Sequence, residues 1–64
     1  MTGNQMRKFR VKELDMTQTE LAREMGFKTY RTILALEKLG NQLLLERHKV
    51  VFELVLTKHK KRNS

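Results

Sequence analysis

The stretch Met16–Gly40, MTQTELAREMGFKTYRTILALEKLG, decides how the rest of the chain is read. Its spacing predicts two short helices joined by a turn. Thr17 with Glu20 three residues on is a capping box: the hydroxyl accepts a backbone N–H of the first turn and the carboxylate reaches back to the Thr17 N–H. Leu21, Ala22 and Met25 recur at helical spacing and form one apolar face. Gly26 stands where that helix should stop, because glycine takes positive φ at no steric cost. Phe27 follows as an apolar plug. Thr29 is the expected N-cap of the next helix. There Ile33, Leu36 and either Glu37 or Leu39 turn inward, Tyr30, Arg31, Leu34, Ala35 and Lys38 turn outward, and Gly40 ends the run.

Working outward toward the N-terminus, Asn4 is the expected N-cap of a helix reaching about Leu14. Its apolar stripe is Met6, Phe9 and Glu13 or Leu14, with Met1–Gly3 frayed and Asp15 as the break. Arg7, Lys8, Arg10 and Lys12 fill most other positions. Lys8 and Lys12 read as a solvated basic face, whereas Arg7 and Arg10 have contact with phosphates as an equal alternative.

Beyond Gly40 the apolar residues Leu43, Leu44, Leu45, Val50, Val51, Phe52, Leu54, Val55 and Leu56 would cover a broad arc of a helix. A helix apolar over most of its circumference is buried on more than one side. The expectation is therefore a long C-terminal helix packed on the chain's own core and on a second subunit, with Val51, Phe52, Val55 and Leu56 at the dimer seam. A dimerising β-strand over Lys49–Leu56 is the alternative, favoured by its β-branched and aromatic residues. The fold class expected is thus a small all-α helix-turn-helix bundle of about four helices. Residues 1–57 form the domain with its dimerisation segment, and 58–64 a flexible basic tail.

Bulk properties agree with a small partnered domain. A chain of 64 residues has one modest core, and without cysteine it has no disulfide to reinforce it, which leaves oligomerisation. Fourteen Lys and Arg against seven Asp and Glu give a net charge of +7, which favours a polyanionic partner. No signal peptide is read at the N-terminus, and no run approaches the roughly 18 apolar residues of a membrane span. A cytoplasmic location is the expectation. Catalysis has no support: no nucleophile, histidine and acid fall in a known context, and no glycine-rich phosphate loop is present. His48 and His59 lack the company of carboxylate or cysteine ligands, so no metal, cofactor or small-molecule substrate is expected. His48 is placed beside the dimer seam.

The series Thr17-Gln18-x-x-Leu21-Ala22-x-x-x-Gly26-Phe27, followed by Thr29, Ile33 and Glu37, resembles the helix-turn-helix of the phage repressor and Cro family. The resemblance covers about 25 of the 64 residues. It departs from the family pattern in the turn, where Phe27-Lys28 precedes Thr29 and one residue is common, and after Gly40, where two short helices would be usual. What it implies is a second helix laid in the major groove, with Tyr30 and Arg31 at the first base-reading positions and Leu34 and Ala35 beyond them. Arg31 would bond guanine bidentately, and Leu34 and Ala35 would touch thymine methyls; for Leu34, packing on the C-terminal segment is an equal alternative. Phosphate contacts would come from Thr17, Gln18, Arg23, Lys28, Thr29, Thr32 and Lys38. Family members often pair the glutamate aligned with Glu37 to an arginine of the first helix, here Arg10.

The function expected is a sequence-specific double-stranded DNA-binding regulator, a homodimeric repressor reading a near-palindromic operator. The alternative is a protein-interaction module, such as an antitoxin or a phage factor acting on a host protein.

Overall fold

The computed structural model describes residues 1–62, with side chains through residue 59. It is an all-helical bundle. Helix α1 (Gly3–Lys8) runs on into a π-helical segment (Phe9–Leu14), followed by α2 (Gln18–Glu24), α3 (Arg31–Glu37) and the long α4 (Glu46–Arg62). Met6, Leu21, Ala22, Ile33, Leu36, Leu44, Phe52 and Val55 are buried together, so every helix contributes to one core. Phe52 sits at its centre with no exposed surface, 6.4 Å from Phe9 between ring centroids.

The N-terminus is more ordered than expected. Thr2, not Asn4, caps α1: its hydroxyl accepts from the Gln5 N–H, and the Gln5 side chain accepts from the Thr2 N–H. Met1–Gly3 is not frayed, because it pairs with the segment after α3. The Leu44 N–H donates to the Met1 carbonyl at 2.8 Å, and Thr2 forms an isolated antiparallel bridge with Leu43. Gly3 is buried where α1 crosses the end of α3, close enough that a Cβ would press on the Leu36 and Glu37 carbonyls. Asn4 instead donates its side-chain amide to Asn41.

The π-helical segment closes on Arg10. The Asp15 and Met16 N–H groups both donate to the Arg10 carbonyl, and Asp15 takes a left-handed conformation at φ 51° that stops the helix. The widened turn lets Phe9 and Leu14 half-bury against the core while Val11 and Lys12 stay outside.

The capping box at Thr17 and Glu20 forms as the sequence predicts, with bonds of 3.1 and 2.9 Å. At the other end of α2, Gly26 (φ 83°) completes a Schellman closure. The Phe27 N–H reaches the Ala22 carbonyl at 2.8 Å and the Gly26 N–H the Arg23 carbonyl at 3.1 Å. The longer turn delays α3 by one residue: Tyr30, not Thr29, holds the N-cap position, in an αR conformation and with no side-chain cap.

Residues 49–56 are helical, and among the described residues there is no strand, so the dimerising β-strand is set aside. Two further expectations change. Helix α4 continues through Lys58–Arg62, so that part of the basic tail is helical; residues 63–64 lie outside the described residues. And Phe52, Val55 and Leu56, assigned to the dimer seam, are buried in this chain's own core, with Val51 half-buried beside them. The broad apolar arc divides: Phe52, Val55 and Leu56 face inward, while Val50 and Leu54 are left in solvent. Burial of Phe52 within the subunit satisfies the largest side chain of α4, so the pairing surface postulated for it is already occupied.

Candidate nucleic-acid interface

Arg10 organises the arrangement of α1, α2 and α3. Its Nε stands 2.7 Å from Glu37 Oε2 and its second terminal nitrogen 3.3 Å from Glu37 Oε1, a two-point contact across 27 residues of sequence. The remaining guanidinium nitrogen donates to the Met16 carbonyl at 2.9 Å, tying the pair to the start of the helix-turn-helix. Gln18, in the first turn of α2, donates its side-chain amide to Glu37 Oε1 at 3.1 Å. The π-helical segment and α2 thus converge on one carboxylate near the end of α3. The side chains of Arg10 and Glu37 are only 12% and 7% exposed. Two-point guanidinium–carboxylate contacts fix orientation as well as distance, so the pair sets how α3 lies on α1 and α2.

The consequence is electrostatic as well as mechanical. Glu37 is the single acid of α3, and it is turned inward and neutralised. The outer side of the helix is left to Tyr30, Arg31 and Ala35, all exposed, with the exposed Lys38 at its end. Leu34 is half-buried and lines a cleft of about 270 Å³ with Arg7, Arg10, Gln18, Glu37 and Lys38. It therefore faces the α1–α2 side of α3, where the sequence reading weighed DNA against the C-terminal segment.

The expected phosphate-contacting residues separate into two groups. Arg23, Lys28, Thr29 and Lys38 are exposed, with Lys28 and Thr29 in the turn before α3. Thr17, Gln18 and Thr32 are more constrained. The Thr17 hydroxyl accepts from Glu20 and keeps its own proton to donate, Gln18 is held by Glu37, and Thr32 is half-buried. The four residues assigned to dimerisation do not join this surface, since they lie in or against the core.

The rings of His48 and Phe27 meet in a T-shaped contact, 5.9 Å between centroids, and His48 Nδ1 is buried without a hydrogen-bond partner. The sequence reading missed a junction between α2 and α4. Glu24 Oε1 lies 3.1 Å from His59 Nε2 and 3.5 Å from Lys58 Nζ. The His59 contact, and then the Lys58 charge, hold the Glu24 carboxyl below its ordinary range. The available signal was an acid at the end of α2 facing a cation pair placed 34 positions on, too distant for any local rule. Gly3 was missed for the same reason: its neighbours are the carbonyls of α3. Among the described residues no group of three or more His, Cys, Asp or Glu could hold a metal ion, and no helix is long and apolar enough to cross a membrane.

No protein-family model matches the chain, and no curated protein or solved structure is significantly similar to it.

Proposed function

We propose that the protein is a sequence-specific double-stranded DNA-binding regulator that reads the major groove with α3. The observation that carries this reading is the composition and fixing of that helix. Its outer face offers Tyr30, Arg31, Ala35 and Lys38, while its single acid is held inside by Arg10 and Gln18. An α-helix fits the major groove of B-DNA, and the residues near its start reach base edges. Arg31, at the first helical position, is the residue suited to two-point bonding of guanine. The exposed Arg23, Lys28, Thr29 and Lys38 flank the helix as sources of backbone contact, and Thr17 has a hydroxyl proton to donate. The net charge of +7 supports such a partner.

In this reading the protein acts as a repressor. Two copies place their α3 helices in successive major grooves about 34 Å apart on a near-palindromic operator and exclude polymerase. The apolar surface open to a second copy is Val50 and Leu54 on α4, with Leu43 and Leu45 ahead of it. Footprinting tests the reading. A protected inverted repeat supports it; uniform, salt-sensitive protection without sequence preference contradicts it.

The exposed leucines also favour a second reading. Leu43, Leu45 and Leu54 are 72%, 58% and 66% exposed, large apolar side chains that a partner protein would cover. A protein-interaction module would use them on a different protein. Isolation of a stable heteromeric complex by a protein that shifts no DNA favours this second reading over the first.

A further inference from the structure

A second concave surface lies along α1 and the π-helical segment that continues it. It has a volume of about 710 Å³, and its lining includes Asn4, Arg7, Lys8, Val11, Lys12 and Asn41. None of the described residues lining it is acidic. Three cations facing one hollow without a carboxylate repel one another, and an anion seated among them removes that repulsion. The hollow also offers a neutral donor. Asn4 Nδ2 donates to Asn41 Oδ1 at 3.0 Å, which leaves the Asn41 amide N–H groups free to donate outward.

Arg7 lines this groove and the cleft of Arg10, Gln18, Leu34, Glu37 and Lys38 as well. The two hollows are therefore neighbours. Lys38 lines one, Lys8 and Lys12 the other, and Arg7 both; the acid of the first, Glu37, is paired with Arg10. A duplex with α3 in its major groove carries a phosphate strand along the edge of that groove, one charge per roughly 3.4 Å of axis on each strand. A strand suits this arrangement better than a compact anion does, because it can meet the cations of both hollows at once.

Resting on the reading of α3 as the base-reading helix, we propose that the α1 groove is a second backbone site, in which Arg7, Lys8 and Lys12 follow the phosphates flanking the base-read segment. Lys8 and Lys12 are exposed and form no ion pair among the described residues. They are thus available to release counterions from DNA on contact.

The test uses the full chain and a fluorescein-labelled 30-base-pair duplex of random sequence, with affinity measured from 50 to 200 mM KCl. Each phosphate neutralised contributes about 0.9 to the slope of log affinity against log salt. The double substitution Lys8→Gln/Lys12→Gln should lower the magnitude of the slope by about 1.8 and leave the circular-dichroism spectrum unchanged. Arg47→Gln, on the exposed part of α4, should leave the slope as it is. An unchanged slope in the double variant overturns the proposal. So does an equal loss per charge from Arg47→Gln, which would mean that net charge alone is felt. The underlying reading fails separately. If selection from a random DNA pool yields no preferred sequence while the double variant still loses slope, α3 does not read bases and the groove stands.

Discussion

Arg10 and Glu37 meet in a two-point contact, with Nε 2.7 Å from Oε2, and this pair joins the π-helical segment after α1 to the end of α3. It is largely shielded from water and is braced by Gln18 and the Met16 carbonyl. Removing one member leaves the other charge stranded, whereas removing both leaves none.

Arg10→Met should therefore destabilise the fold by about 3 kcal/mol, lowering Tm by roughly 12–24 °C for a domain of this size. The double variant Arg10→Met/Glu37→Leu should recover most of that loss. Thermal unfolding of the two single and the double variants gives the coupling directly. A change of less than about 2 °C in Arg10→Met would mean that the pair does not hold α3 in place.

Gly3→Ala makes a second test, because two effects oppose each other. Alanine is the better helix former by about 1 kcal/mol. The added Cβ, however, meets the Leu36 and Glu37 carbonyls and the Gly40 nitrogen, leaving α1 and α3 no room to stay in contact. Overpacking of this kind costs about 1–3 kcal/mol, so denaturant unfolding should show a net loss. A stabilised variant would mean that the two helices are farther apart.

Much of this arrangement could be read from the residues, and what could not has a common cause. The capping box at Thr17, the stop at Gly26 and the inward set Leu21, Ala22, Ile33 and Leu36 depend on neighbours within a few positions, and they form as their spacing predicts. The Arg10–Glu37 contact came from the family resemblance, not from spacing. Helix α4 was harder, because Phe52, Val55 and Leu56 have the same character whether they face this chain or another. Only the position of Phe9 and the other helices decides it. Thr2 and Tyr30 as cap positions, and the pairing of Met1–Gly3 with Leu43 and Leu44, depend on where the chain returns. The base-reading and phosphate-contacting roles rest on the resemblance and on the exposed, acid-free face of α3.

The division of α4 into inner and outer faces can be measured. Phe52→Ala should cost about 3–5 kcal/mol, enough to unfold much of so small a domain. Leu54→Gln, at a residue 66% exposed, should change the stability of the isolated subunit by no more than about 0.5 kcal/mol. Urea unfolding at low protein concentration distinguishes them. Comparable losses at the two positions would contradict the inward placement of Phe52.

The Glu24 junction predicts a pH dependence. Its carboxyl is held below the ordinary 4.5 by the contact with His59 and then by the Lys58 charge. A carboxylate with a depressed folded-state pKa contributes stability that is fully present above the unfolded value and lost as pH falls through the folded value. Glu24→Gln should therefore be less stable than the parent at neutral pH, and the difference should close on acidification through and below pH 4.5. Tm measured across that window checks it; a difference independent of pH would contradict an ionised Glu24 contact.

In the proposed function α3 reads base sequence, with Arg31 among the reading side chains. Selection of bound duplexes from a random pool, run in parallel with the parent chain and Arg31→Ala, tests it most directly. The parent should enrich an inverted repeat. Arg31→Ala should still bind DNA but lose preference at one position in each half-site, by about 1–3 kcal/mol. Enrichment of no sequence by the parent, or the same motif at the same stringency from both proteins, would contradict it.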